Sequence, residues 1–472
     1  MSDRRVFRWA TTSTRLLVGS VVSAAAVVGV VAAVALPWPT IEREPASISA
    51  VPAPAPAVVA CDGGLLSVGR DLTNAESFAV ATPQRLTSGV TDGAEPPQEA
   101  VLEVAGLTSG EGPAVFTSPP AGRERVDVAA AGSSIAGDPD LAGFAASACR
   151  PPLLESWLVG GSGETGASDL ILISNPGSVP ATVQLTVYGA AGEQTPPGGS
   201  DLVVPPGTQR VVPLAGLVLG EQSPVVRVSA VGAPVHASLQ ASITRVLTPG
   251  GVEQVGAIPE PETALTITGV AVTRAPGEEG ASDAATVLRL LSPSADGDAT
   301  VTVTPVGREE PARDPETVPL VAGEPVEIAL GGLGVGTYTV TVEGETPVVA
   351  AVWQTTGFDE GDDFAWYTPS PLVTLPSLFA TPSGPPPAVT LVNPADEPVD
   401  VSVSSDDGSY RLDVTVPAGG SMTARLSPRT VYVLDPGEGQ IRAGLALTGD
   451  GALAGIPVWP ADAASPAIVV YP

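Results

Sequence analysis

The residues in this sequence that could do chemistry are few and scattered. The one histidine, His236, sits in Pro234-Val235-His236-Ala237, a stretch that reads as a strand. A nucleophilic triad needs a histidine beside a serine and an acid; His236 is read instead as a solvent-facing or packed strand residue. Gly161-Ser162-Gly163 is not a nucleophile elbow, which requires G-x-S-x-G between strand and helix. The sequence contains no HExxH, no Walker A, no GxGxxG in a βαβ setting and no EF-hand loop. Acidic residues cluster at Asp359, Glu360, Asp362 and Asp363 and again at Asp406-Asp407-Gly408. Calcium takes several oxygen ligands, but Asp-Gly is also a hairpin signal and a charged joint is usually just solvated. Paired carboxylates for glycoside hydrolysis would need a groove with aromatic rings. The candidates for such a groove are Trp353, Trp366, Tyr367 and Trp459, which serve equally well as core plugs. No catalytic, cofactor-binding or metal-ligating residue is assigned, no cofactor is implied, and an enzyme is not expected.

Cys61 and Cys149 are the only cysteines. In an exported chain an even pair reads as one disulfide, and the pair is assigned that role. The formal charge of −30, with every basic residue an arginine, argues against a nucleic-acid partner, because phosphate binding needs a basic face.

These residues must be carried by some scaffold, and the N-terminus says where it sits. Residues 1–15 carry Arg4, Arg5, Arg8 and Arg15 against Asp3, and residues 16–36 are uncharged. About 20 apolar residues span a bilayer, and the basic flank stays cytoplasmic. The expectation is a single-pass plasma-membrane protein with an uncleaved signal anchor, its C-terminal domains extracellular. A cleaved signal peptide is the competing reading, since Ala33 and Ala35 resemble a cleavage site. Residues 37–60, rich in Pro and Ala, predict an extended stalk.

Leu170 to Tyr188, LILISNPGSVPATVQLTVY, reads as strand, turn, strand. Asn175-Pro176-Gly177 breaks the run, and Val183, Leu185 and Val187 then alternate with polar residues. The pattern returns at Thr286 to Thr304, broken at Ser292-Pro293, and at Val389 to Val403, broken at Asn393-Pro394. Two of the three asparagines in the chain hold this turn position. Each copy continues with a turn at Val204-Pro205-Pro206-Gly207, Val321-Ala322-Gly323 or Val416-Pro417-Ala418-Gly419, and then with further strands. The repeats are placed at 158–258, 262–357 and 364–472, each of a size and strand count suited to a β-sandwich. Residues 61–157 form an irregular β segment, either a domain of its own or strands lent to the first repeat.

Trp157-Leu158-Val159-Gly160-Gly161, Asn175-Pro176, Ala181-Thr182-Val183, Val204-Pro205-Pro206-Gly207 and Pro234-Val235 together resemble an uncharacterised actinobacterial family of exported proteins, domain of unknown function 5719. The resemblance implies an all-β protein of tandem Ig-like β-sandwich domains after an N-terminal transmembrane helix, non-enzymatic, and supplies no catalytic residue. The function expected is a structural or interaction scaffold in the cell envelope, with the membrane as one partner and a protein or polysaccharide as another. The alternative is a glycan-binding or glycan-processing accessory of envelope polysaccharide assembly.

Overall fold

The computed structural model describes residues 3–35, 48–50, 54–70, 73–74, 77–274, 285–461 and 468–470. Apart from one helix and a single 3₁₀ turn, its regular structure is β throughout. The chain divides into two units, residues 1–52 with 465–472 and residues 53–464. The first holds a helix, Asp3–Ala35, and two short paired strands, Ile48–Ala50 and Ile468–Val470. The Ser13–Ala35 part of the helix is long and apolar enough to cross a membrane, about 35 Å at the α-helical rise. Most of the proposed stalk, at 37–47 and 51–53, lies outside the described residues.

The second unit is built from one strand pattern used four times. The most complete copies, repeats two and four, have eight strands each. To number them in chain order, repeat one comes first: β1 (Ala57–Ala60), β2 (Arg85–Val90), β3 (Gln98–Val101), β4 (Ala114–Ser118), β5 (Val128–Asp138) and β6 (Leu141–Ala148). Repeat two is β7 (Glu155–Val159), β8 (Leu170–Asn175), β9 (Ala181–Gly189), β10 (Leu202–Val204), β11 (Thr208–Pro213), β12 (Val225–Val231), β13 (His236–Arg245) and β14 (Thr248–Gly256). Repeat three is β15 (Glu262–Val272), β16 (Thr286–Leu291), β17 (Gly297–Pro305), β18 (Glu316–Leu320), β19 (Val326–Ala329), β20 (Gly336–Thr355) and β21 (Phe364–Tyr367). Repeat four is β22 (Ser377–Ala380), β23 (Pro387–Val392), β24 (Val399–Ser405), β25 (Arg411–Val416), β26 (Ser421–Arg425), β27 (Val431–Asp435), β28 (Ile441–Gly449) and β29 (Ala452–Pro457).

In repeat two the sheets run β7-β12-β9-β10 and β14-β13-β8-β11. Repeat four runs β22-β27-β24-β25 and β29-β28-β23-β26, strand for strand the same. Repeat three is again the same, except that one long strand, β20, serves as sixth strand in its first half and seventh in its second. A shared core lies between each pair of sheets, filled by Val, Leu, Ile and Ala such as Ile171, Val183, Leu185 and Val228 in repeat two. This is sandwich architecture with an order of its own. The first strand lies beside the sixth and the seventh beside the second, whereas the first strand of an immunoglobulin domain shares a sheet with the second.

Repeat one was not anticipated as a copy. Its sheets run β1-β4-β3 and β6-β5-β2, the same order with the fourth and fifth strands missing. The stalk expectation fails at its end, because residues 57–60 form β1 and pair with β4. The irregular segment 61–157 does both of the things expected of it: its body is a reduced sandwich of its own, and Glu103–Val104 pairs in parallel with Thr208 and Gln209 on the edge of repeat two, while Glu155–Trp157 already belong to β7. The boundary at 364 also moves. Phe364–Tyr367 pairs with β20, so the strand expected to open the last repeat closes the one before it.

The last strands of the four repeats pack in a closed cycle, β6 on β14, β14 on β21, β21 on β29 and β29 on β6. Asp363 stands where the cycle meets. Its buried carboxylate accepts the backbone N–H of Phe144 in repeat one (2.8 Å), Val252 in repeat two (3.2 Å) and Leu453 in repeat four (3.4 Å). The matching positions in repeats one and two are Gly143 and Gly251, both at positive φ, and a Cβ on either would come within 2.7 Å of Asp363 Oδ1. Burial raises the Asp363 pKa to about 8, against the pull of these N–H donors.

Candidate functional site: an aromatic cleft at a repeat seam

Buried arginines stitch the seams between neighbouring repeats. Arg150 donates to Ala257 O (2.7 Å), joining repeats one and two, and Arg442 donates to Ser370 O (2.6 Å), closing repeat four on the end of repeat three. At the seam of repeats two and three, Arg289 on β16 donates to Gly161 O (2.9 Å) and Pro224 O (2.8 Å) across the seam and to Glu327 Oε1 (2.8 and 2.9 Å) within its own repeat. Burial lowers the Arg289 pKa, and Glu327 works against that fall.

Beside this clamp the two repeats leave a cleft of about 530 Å³. Repeat two contributes the loop from Gly161 to Asp169 and the hairpin tip at Arg245-Val246. Repeat three contributes Arg289, Glu327, Trp353, Phe358, Phe364 and Trp366. Trp353 lies 6.4 Å from Phe358 and 6.1 Å from Phe364, ring centre to ring centre. The Arg289 guanidinium lies 4.8 Å over Trp366, and Arg245 lies 4.9 Å over Phe358. Trp366 is buried, Trp353 is half-buried and Phe358 is exposed, so the last two offer ring surface to a ligand.

Asp169 shapes the loop. Its carboxylate accepts the N–H of Ser162 (2.6 Å) and of Ser242 (2.8 Å), tying the loop to β13. Burial raises its pKa to about 6, opposed by the two N–H bonds and by Arg289. Gly161 has φ 71°, and a Cβ there would meet Asp169 Oδ2 at 2.6 Å. At the rim, Val246 is a β-branched residue at φ 61° and is 96% exposed, with Leu247 beside it at 86%. A β-branched side chain at positive φ is a conformational outlier, so the apolar tip is held outward at some cost.

Two of the four candidate groove aromatics, Trp353 and Trp366, thus come together in one cleft. Tyr367 does not, because neighbours on a strand face opposite sides; it is buried in the core of repeat three. Trp459 lies at a different seam, 4.9 Å under Arg150, beside a cavity of only about 80 Å³. His236 is buried, and its Nε2 meets the equally buried Asp62 Oδ1 at 2.7 Å. That pair joins repeats one and two. Burial acts to raise the Asp62 pKa, but the pairing with His236, with the Ser147 and Ser238 side chains close by, outweighs it and the net shift is downward. Ser162 of the Gly-Ser-Gly stretch lines the cleft as a loop residue.

The acidic run splits. Asp362 pairs with Arg274 (2.8 Å) and Asp363 turns into the core. Among the described residues no three His, Cys, Asp or Glu side chains converge as a metal site would need. Asp407 instead caps its own hairpin turn, accepting from Ser405 (2.6 Å) and from the N–H of Ser409 (2.9 Å), and these bonds lower its pKa to about 2. Cys61 and Cys149 are bonded to each other, just past β1 and just past β6, so the bridge closes repeat one on itself. Sequence reasoning missed Asp169, Arg289 and Phe358. Their only local signal was the glycine-rich loop that Asp169 closes.

A family model described as "Family of unknown function (DUF5719)" matches residues 104–429. No curated protein matches the chain.

Proposed function

The chain belongs to this family of unknown function, and from that premise we propose that it is a non-enzymatic, single-pass cell-surface protein whose four sandwiches act as one rigid interaction module in the cell envelope. The observation that carries the reading is the cross-stitching of the repeats. Asp363 and the buried arginines spend their hydrogen bonds joining one repeat to the next. Such an assembly holds surfaces in fixed relation, as a scaffold must, and its one histidine is consumed in a buried pair rather than exposed for proton transfer. The apolar Ser13–Ala35 helix supports a membrane tether, with the arginine flank inside and the module outside. Nucleic acid is not a partner on this reading, given the charge of −30.

The experiment is protease shaving of intact cells with an N-terminal tag. The expected result is loss of the module, with a membrane-retained fragment carrying the tag. A module protected until the membrane is permeabilised overturns the assigned topology. A second reading, a glycan-binding accessory of polysaccharide assembly, is favoured by one feature, the aromatic cleft between repeats two and three.

A further inference from the structure

We propose that this cleft is the binding site for a neutral oligosaccharide, an inference that rests on the interaction-module reading and names its ligand. The volume of about 530 Å³ falls in the range of small-ligand sites. The exposed ring surface of Trp353 and Phe358 suits the C–H face of a sugar ring, which is apolar and flat. Around it stand Ser162, Glu164, Thr165, Gln222 and Thr244, hydroxyl, amide and carboxylate groups of the kind that hydrogen-bond sugar hydroxyls.

The buried arginine of the cleft is already committed to the protein. The Arg289 guanidinium has five N–H donors, and they are directed at Glu327 and at the carbonyls of Gly161, Pro224 and Gln222. It is therefore a structural clamp and not an anion grip. The rest of the protein repels polyanions, with its charge of −30. An apolar peptide is disfavoured because Ser162, Glu164, Thr165 and Thr244 line the cleft together with the rings. The cleft is also preformed: Asp169 fixes one wall, and β16, β20 and β21 of repeat three form the other. Little ordering cost remains to be met on binding.

The test is titration of the full chain in detergent with cellotetraose, maltotetraose and tetra-N-acetylchitotetraose, all neutral, followed by tryptophan fluorescence and calorimetry. The expected result is saturable binding of at least one of them, weakened tenfold or more by Phe358→Ala and by Trp353→Ala. Phe358 is 38% exposed and otherwise packs on Trp353 and Arg245, so its variant is expected to stay folded, checked by a cooperative melting transition. Trp459→Ala, at the other seam, should bind as the wild type does. The proposal is overturned if the folded wild type binds none of the three sugars, if Phe358→Ala binds unchanged, or if an apolar peptide displaces the sugar from a site insensitive to both substitutions. Should it fail while shaving still removes the module from intact cells, the interaction-module reading stands without this ligand.

Discussion

Asp363 ties its own repeat to the other three. Its carboxylate receives N–H groups from three other repeats. Removing it leaves those donors buried without partners, each at a cost of about 1–3 kcal/mol. Asp363→Ala is therefore expected to lower stability by roughly 3–5 kcal/mol, read as the shift in urea midpoint. The same residue sets a pH dependence. Its pKa is about 8 in the folded state against 3.8 for a free Asp side chain, so the folded protein keeps a proton that the unfolded chain has released. That contribution is complete below about pH 4 and is lost as pH rises through about 8. Asp169, at about 6, and Glu253, raised by burial, act in the same direction. Stability of the wild type should fall between pH 6 and 8. In Asp363→Asn that slope should be shallower by up to about 1.4 kcal/mol per pH unit; an unchanged slope would mean that Asp363 does not titrate there. None of this was legible in the sequence. Asp363 reads as one more acid in an acidic joint, and its partners lie as far as 219 residues away. Trp366 and Tyr367, adjacent and both candidates, were separable only by knowing which face of β21 looks at the cleft.

At the scale of the element, the strand-turn-strand unit was legible because its chemistry is local. The Asn175 side-chain amide donates to Val179 O (2.8 Å) and Val204 O (2.9 Å), and its oxygen accepts the N–H of Gly177 (3.0 Å). Asn393 does the same with Glu397 O, Val416 O and the N–H of Ala395. One buried side chain thus closes its own turn and ties that turn to the far end of the fourth strand of the repeat, which explains a rare residue at a repeated position. Ser292 in repeat three reaches only Ala295 O (2.6 Å) and Thr346 Oγ1 (2.8 Å). Asn175→Ala and Asn393→Ala should each cost roughly 2–4 kcal/mol, and Ser292→Ala closer to 1, measured by urea unfolding of the full chain. Equal losses at all three sites would show that the amide contributes nothing beyond a single hydrogen bond. Repeat one was not legible, and the reason is also local. It lacks the fourth strand, to whose end such an asparagine ties its turn. A hairpin, Leu65–Val68 with Phe78–Thr82, interrupts it between β1 and β2. The hydrophobic period of its first four strands survives only in runs of four to six residues, and the longer β5 and β6 are mostly Ala, Gly and Ser, so none stands out without the turn signature.

The whole molecule differs from a string of beads because the repeats close on themselves. Tandem sandwiches joined end to end would unfold separately, each with its own midpoint. Here every repeat touches two others through its last strand, and Asp363 reaches all of them. The weakest member should therefore set the stability of the set. That member is repeat one, with only six strands of the pattern, and the Cys61–Cys149 bridge compensates by closing a loop of 88 residues. In the chain-entropy account such a loop is worth roughly 4–5 kcal/mol. Reduction, or Cys61→Ser with Cys149→Ser, should lower the midpoint of the entire 53–464 unit while leaving a single transition, because repeat one cannot melt without exposing β14 and β29. Differential scanning calorimetry with and without reductant decides this: one shifted peak is expected, with van't Hoff and calorimetric enthalpies in agreement. A new low-temperature peak of about a quarter of the enthalpy, with the main peak unmoved, would mean that the cycle of last strands carries no coupling and that the repeats are independent after all.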